Sequence, residues 1–572
     1  MTLEPPADLP SSLLLERIRD SVIGDDHVLD GPFGPRRVTY ADYTASGRSL
    51  TFVEDFIRER VLPSYANTHT ESSGTGLQTT SLREDARLII RDAVGGDDDT
   101  VVVFCGSGAT GAVDKMVGIL GLRAGRAGPP PVDDRPVVFV GPYEHHSNEL
   151  PWRESIADVV VIPEDPDGHV DVEALTYELV RHQDRTLRIG AFSAASNVTG
   201  ILTDVRAIAR TLHEHGALSF WDFAAAAPYV QIDMNPANDP LAYLDAIFVS
   251  PHKFVGGPGT PGVLAARRGL FANPVPVVVG GGTVSYVNPF EHDYVPDPVH
   301  REEGGTPAIV ESIRAGLVFQ LKQAVGHDVI RAREAGIVRA AVDAWSRHPS
   351  IEILGNLDAE RLAIISFELR RPGGRRLHHN FVVAALNDLF GIQARGGCSC
   401  AGPYGHRLLS IDLDMSHEFE HEIEHGYEGI KPGWTRVSFN YFIDEETFRY
   451  VVEAVLLLAS QGYRLLPEYT FDPATGLWRH RNGPVGPQLR LQDVRYGADG
   501  TLTCPDTTLT APRTALRDYL DEAQKILDAL PDPPTDSADT ATRVSTDFER
   551  LRWFELPPAC ITDVTSSPAS HG

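Results

Sequence analysis

From Tyr40 to about Leu270 short apolar runs alternate with longer stretches of helical periodicity. The runs are Val101-Val102-Val103-Phe104, Val137-Val138-Phe139-Val140, Val159-Val160-Val161-Ile162, Ile189-Gly190-Ala191-Phe192, Leu218-Ser219-Phe220-Trp221 and Ala246-Ile247-Phe248-Val249. Short continuous runs rich in β-branched and aromatic residues predict strands buried on both faces. Their alternation with helices predicts an α/β fold with a mostly parallel sheet, whose ligands sit at the carboxyl ends of the strands. A Gly/Pro-rich passage, 274–307, ends the rhythm. A long helical pattern (309 to about 348), a strand (362–369), a helix (381–390) and Arg436 to Tyr441 then predict a smaller α+β domain. Ahead of all this, Ser11 to Val22 predicts a short amphipathic helix behind a serine cap. After about Pro467 a small β element (489–503) and a helix (514–530) are expected. From about Pro531 the Asp/Pro/Ser/Thr-rich composition predicts a largely disordered tail.

The 572 residues can hold two or three domains, and no apolar run approaches the roughly 20 residues of a spanning helix. Lys and Arg number 51 against 79 Asp and Glu, a net charge of −28. That balance argues against nucleic acid or an anionic membrane as a partner. Five irregularly spaced cysteines imply no disulfide framework, and Met1 to Pro10, acidic and proline-rich, has neither the basic nor the apolar region of a secretory signal. The expected location is cytoplasmic.

The polar motifs follow the apolar runs. Ser250-Pro251-His252-Lys253, ahead of Gly256-Gly257, places a lysine at the end of a buried strand, where it is costly without a task. A reactive amine with a hydroxyl and an imidazole beside it suits a Schiff-base lysine on pyridoxal phosphate. Gly106-Ser107-Gly108-Ala109-Thr110-Gly111 forms a strand-to-helix turn able to cradle phosphate, with backbone N–H groups at Ala109 and a hydroxyl at Thr110. It is not the dinucleotide pattern, since no ribose-binding acid follows at the right distance. In Glu144-His145-His146-Ser147-Asn148 a flat imidazole can stack on an aromatic cofactor and move protons. Asp222, at the end of another run, either caps a helix or hydrogen-bonds a pyridinium nitrogen.

Together these residues resemble the fold-type I pyridoxal-phosphate enzymes of the class V aminotransferase group, in the cysteine desulfurase and selenocysteine lyase branch. The resemblance spans about Tyr40 to Tyr441. It rests on Glu144 to Trp152 (E-H-H-x-N-x-x-P-W), Ser196 to Gly200 (S-N-x-x-G), Asp222, Ser250 to Lys253 (S-x-H-K), Gly305-Thr306-Pro307 and Arg436 in Arg-x-Ser-x-x-x-Tyr. It implies His145 as the ring-stacking residue, Asn197 on cofactor and substrate carboxylate, and Asp222 on the pyridine nitrogen. It implies Thr306 reaching phosphate across a homodimer interface and Arg436 clamping the substrate carboxylate. Ala66-Asn67-Thr68-His69 is similar to a family segment at the active-site mouth, so His69 is implied in substrate binding. Arg395 to Pro403 is similar to the family's cysteine loop, which puts Arg395 at the substrate and Cys400 where the desulfurase nucleophile lies. The implied reaction removes sulfur or selenium from an L-cysteine-type amino acid through a Lys253 Schiff base and a Cys400 persulfide. A sulfur-acceptor protein would then take the sulfur. The alternative is an aminotransferase or C–S lyase acting on another amino acid.

The resemblance divides the chain into a large cofactor domain, 30–320, and a small domain from 1–29 and 321–466. A C-terminal extension, 467–530, and the tail, 531–572, follow. Three departures stand out. The family's D-x-A-Q reads Asp222-Phe223-Ala224-Ala225, so alanine replaces a glutamine donor. Thr70 stands where an arginine is expected after His69. An insertion of about 20 residues, within 405–432, is of a length that usually has a use, here a cap on the active site. His417 to His421 and His421 to His425 both match H-E-x-x-H, but Glu and His alternate throughout and no third ligand is evident, so no metal is expected. Cys398 has no counterpart in the family pattern. It either resolves a persulfide on Cys400 or makes the C-x-C redox-labile.

Overall fold

The computed structural model describes residues 12–68, 70–124, 131–484, 486–533, 544–556 and 560. Its centre is a seven-stranded sheet built from β1 (Thr100–Cys105), β2 (Val137–Val140), β3 (Asp158–Val161), β4 (Arg188–Ser193), β5 (Leu218–Asp222), β6 (Ala246–Val249) and β7 (Gly262–Arg267). The spatial order is β1-β7-β6-β5-β4-β2-β3. Only β7 runs antiparallel to its neighbours. Val137 to Val140 and Ala246 to Val249 are buried throughout, as strands covered on both faces must be.

The helices around the sheet have local causes. Ser73 accepts from Gly76 N at the start of α2 (Gly74–Ala93), which follows the N-terminal α1 (Ser12–Asp20). The turn after β1 leads into α3 (Gly108–Ile119), and Gly108 there has φ +54. A Cβ on Gly262 of β7 would lie 1.9 Å from Gly108 O, so glycine alone lets strand and helix approach this closely. The long periodic stretch from residue 309 is two helices, α4 (Ile309–Val325) and α5 (His327–Trp345). Gly326, at φ +89, separates them, a conformation L side chains rarely adopt.

The second layer is an antiparallel sheet of β8 (Ile351–Ile353), β9 (Ile364–Leu369), β10 (Arg395–Gly397) and β11 (Trp434–Ser438), ordered β8-β9-β11-β10. Helices α6 (His379–Phe390) and α9 (Glu445–Gln461) cover it, with Asp444 capping α9 through Thr447 N. Between β10 and β11 the insertion folds as α7 (Gly402–Leu408) and α8 (Leu413–Glu424).

Beyond α9 a hairpin (Tyr469–Asp472 with Leu477–His480) and α10 (Ala515–Ala529) pack on the small domain. Leu516, Ala523 and Leu527 are buried there. The tail departs from expectation over 544–556. Ser545 caps α11 (Thr546–Leu551), and Phe548, Phe554 and Leu556 are buried in the same core. The polar composition hides these spaced apolar anchors, whose burial offsets the cost of ordering the segment. The rest of the tail, 534–543, 557–559 and 561–572, lies outside the described residues. Ser545 Oγ donates to Glu422 and Arg550 pairs with Glu418, so α11 rests on α8. The insertion therefore braces the C-terminal segment, and none of its residues from 405 to 432 lines the cavity described next.

Candidate active site

At the carboxyl ends of β1, β4, β5 and β6 the large domain meets the cysteine loop around a cavity of about 260 Å³. Its wall contains Lys253, Cys400, His145, Asp222, Ala109, Thr110, Asn197, Ser250, His252, Arg395 and Arg436. The seven-stranded sheet gathers those from Ala109 to Lys253 because each motif sits at or just beyond the end of its own strand, on the same edge.

One end of the cavity is a cradle at the start of α3. Ala109 N donates to Ser250 Oγ (2.8 Å), and the Thr110 and Ser147 hydroxyls lie 2.6 Å apart. A side chain on Gly108 would strike Ser250 Oγ at 2.7 Å, so glycine keeps the space open. His252 Nδ1 lies 3.4 Å from Ser46 Oγ. Asp222 occupies the end of β5, fully buried, with Oδ1 accepting from Ala224 N (2.7 Å). Burial raises its pKa, and the Ala224 N–H and the nearby Lys253 charge oppose the rise. Lys253 is depressed to about 8, chiefly by burial; Asp222 pulls it up, and Arg436 and Arg395 push it down. His145 is held down to about 3 by burial and the Lys253 charge, and His252 to about 4 by the same causes. Both imidazoles are neutral at pH 7. Behind them Glu144 accepts from Ser193 N (2.8 Å), Ser193 Oγ and Asn148 Nδ2 (both 2.6 Å), which ties the His145 turn to β4.

The opposite wall belongs to the small domain. Arg436 of β11, 3% exposed, donates from Nη1 to Asn197 O (2.9 Å) and pairs through Nη2 with Asp42 (3.0 Å). Arg395 of β10 pairs with the other oxygen of Asp42, also at 3.0 Å. The cysteine loop closes the side. Asn197 Nδ2 donates to Ser399 O (2.7 Å), and His146 N to Cys400 O (2.9 Å).

Four wall residues carry buried polar atoms without a partner among the described residues: Asn197 Oδ1, Thr44 Oγ1, Ser399 Oγ and Arg436 Nε. Leaving such atoms unsatisfied costs about 1–3 kcal/mol each, so the cavity is built for a polar occupant. A helix-start turn lined by hydroxyls, a buried carboxylate, a depressed lysine amine and a flat neutral imidazole around one cavity fit pyridoxal phosphate. Ala225 stands in the same wall, where the resemblance expects a glutamine.

Two expected residues are not in this wall. Thr306 lies outside the cavity of its own chain, on a loop whose Glu303 is anchored by Phe104 N (2.7 Å) and Arg87 (2.9 Å). His69 lies outside the described residues. The motifs also passed over Asp42 and Thr44, which belong to no apolar run. The His421 and His425 rings lie 4.2 Å apart on α8, tilted by 35°, and among the described residues no group of three or more His, Cys, Asp or Glu side chains could hold a metal ion.

The class-V aminotransferase family model matches residues 39–448. This chain belongs to that family. Class-V aminotransferases and their cysteine desulfurase relatives depend on pyridoxal phosphate, so the cavity's fit and the family agree. A probable cysteine desulfurase of Staphylococcus aureus (strain COL) is 28% identical over 388 residues, 67% of this chain and 88% of that protein. Another, from Halobacterium salinarum, is 29% identical over 390 residues, covering 68% and 88%. Among solved structures, the apo cysteine desulfurase of Thermococcus onnurineus superposes with a TM-score of 0.61 at 22% identity, over 80% of this chain and 99% of that one. That likeness shows the fold. Residues 449–572, with α10 and α11, lie beyond the family match.

Proposed function

We propose that this class-V family member is a pyridoxal-phosphate-dependent cysteine desulfurase, taking sulfur, or selenium, from L-cysteine-type amino acids. The observation that carries the reading is a cysteine, Cys400, in the same cavity wall as Lys253, Asp222 and Arg436. The turn from Ser107 to Thr110, with Ser250 and His252, would hold the phosphate. Asp222 would keep a proton on the pyridine nitrogen, and His145 would pack against the ring. When bound, the group supplies an electron sink for the pair left on the substrate's α-carbon.

The chain's own residues do the rest. Arg436, Asn197 and Arg395 orient the substrate carboxylate, using donors that Asp42 leaves available. Lys253 Nζ, neutral above about pH 8, takes the proton from the α-carbon. Cys400 Sγ, as thiolate, attacks the substrate sulfur. The C–S bond breaks with its electron pair staying on carbon, alanine leaves, and Cys400 carries a persulfide.

Two copies of the chain would complete the site, with Thr306 serving the partner's cradle. Support comes from the neighbouring hairpin, Val284–Val287 with His292–Tyr294, whose Tyr286, Val287 and Phe290 are exposed, Phe290 at 94%. A thiol-bearing acceptor protein would collect the sulfur, in the reducing cytoplasm that the cysteine usage suits.

The test is alanine production from L-cysteine. The wild-type holoenzyme should form alanine, and Cys400→Ala should not; an unchanged rate in Cys400→Ala would remove the thiol from the reaction. Ala225 favours a second reading, a C–S lyase or aminotransferase acting on a different amino acid. Pyruvate with ammonia, or another keto acid, in place of alanine would support it.

A further inference from the structure

Strand β1 lies at the edge of the seven-stranded sheet, so the side of its backbone turned away from β7 has no strand to pair with. Two side chains fill that role. Glu303 Oε1 accepts from Phe104 N (2.7 Å), and Arg87 Nη1 donates to Val102 O, two residues earlier on the same edge. Arg87 also binds Glu303 Oε1 (2.9 Å) and Oε2 (3.1 Å), and Arg83 pairs with Oε2. The side chains of Glu303, Arg83 and Arg87 are only 5%, 5% and 8% exposed. Taking three charges out of water is costly unless each keeps its partners, so the network holds Glu303 to one position.

Glu302, the residue before it, is buried and fastened to the other flank. Lys115 of α3 donates to Glu302 O (2.6 Å) and pairs with Oε2 (3.3 Å), and Asn273 Nδ2 donates to Oε1 (2.6 Å). The two acids thus tie one loop to β1 and to α3, the elements on either side of the turn proposed to hold phosphate. From Glu303 the same loop runs through two glycines to Thr306, which is exposed. Gly305, at φ +85, donates its N–H to Gly281 O (2.8 Å), and a Cβ on Gly304 would lie 2.7 Å from Val278 O. The loop is therefore held on both sides of its glycines. Three residues span at most about 10 Å, so where Glu303 is held decides where Thr306 can reach.

We propose that Glu303 is a positioning residue for the cofactor of the partner subunit. The carboxylate that completes the edge of β1 in one subunit keeps Thr306 in place for the phosphate in the other, so each Glu303 serves a site it does not touch. This rests on the homodimer reading, in which Thr306 completes the partner's cradle.

The experiment uses full-length heterodimers assembled from two differently tagged copies and purified by both tags as holoenzyme. One copy carries Lys253→Ala and cannot link the cofactor. The other reports, through the phosphopyridoxyl group trapped by borohydride on its own Lys253 at intervals after dilution into cofactor-free buffer. Added to the Lys253→Ala copy, Thr306→Ala should speed cofactor loss from the reporting subunit several-fold. Glu303→Gln in that copy should do the same, although the reporting subunit is intact and gel filtration shows the dimer whole. Arg83→Gln, which removes one guanidinium and leaves the edge of β1 paired, should give a smaller acceleration. A variant that only weakened its own fold would not move the cofactor of an intact neighbour. No effect of Thr306→Ala across the dimer overturns the homodimer reading, and the proposal with it. Acceleration by Thr306→Ala with none by Glu303→Gln overturns the proposal alone, as does an effect of Glu303→Gln confined to dimers whose reporting subunit carries it. Should Glu303→Gln not assemble, Arg83→Gln decides by the same criteria; failure of both to assemble makes the network a support of the fold and overturns the proposal.

Discussion

A lysine in water keeps its proton to about pH 10.4, whereas burial holds Lys253 to about 8. The sign follows directly. A depressed pKa means the proton leaves at lower pH, so the neutral, nucleophilic amine dominates above about 8 and falls off below it. The apoprotein should therefore recapture pyridoxal phosphate at a rate that rises towards pH 8 and levels off above it, followed by cofactor absorbance; a rate still climbing steeply through pH 10 would contradict the burial argument. Asp222→Ala should retain the fold and lose roughly 100-fold or more in kcat, a loss of the size expected when a proton-holding group is removed. Asp42 is a different case. It neutralises Arg395 and Arg436 together, and removing one partner of a buried pair costs about 3–5 kcal/mol. Asp42→Asn should lower Tm markedly, and a saturating amino-acid carboxylate should restore part of the loss; an unchanged Tm would mean the pair contributes nothing. The sequence made Lys253, Asp222 and His145 legible because each follows its own strand in a polar motif. Asp42 was not legible, because its role appears only through partners 353 and 394 residues away.

At the scale of elements, the close approach of β7 to the start of α3 fixes the turn proposed to hold phosphate. Gly262→Ala would place its Cβ on Gly108 O, so strand or helix must move. The variant should lose bound cofactor on gel filtration while keeping its helical content; full retention would show that the cradle tolerates the shift. Most of the sheet was legible, since buried parallel strands read as continuous apolar runs. The antiparallel β7 was missed as a strand because Gly262 to Arg267 adjoins a Gly/Pro-rich loop and lacks the flanking helix that marked the others. The join between α4 and α5 was equally hidden, because Gly326 breaks the backbone while apolar periodicity continues across it. The insertion could not be placed from sequence, since what α8 rests on is set by α11, more than a hundred residues later.

For the whole molecule, the C-terminal extension belongs to the small-domain core. Truncation after residue 466 would uncover the surface that Leu516, Leu527, Phe548 and Phe554 now cover. The truncated chain should aggregate on size-exclusion chromatography although the family match ends at residue 448; a monodisperse, active product would show the extension to be dispensable for folding. The account as a whole depends on one covalent link, between pyridoxal phosphate and Nζ of Lys253. Borohydride reduction of the holoenzyme followed by peptide mass mapping tests it most directly. The phosphopyridoxyl mass should appear on the peptide containing Lys253 and disappear in Lys253→Ala; an adduct on another lysine, or none, would contradict the account.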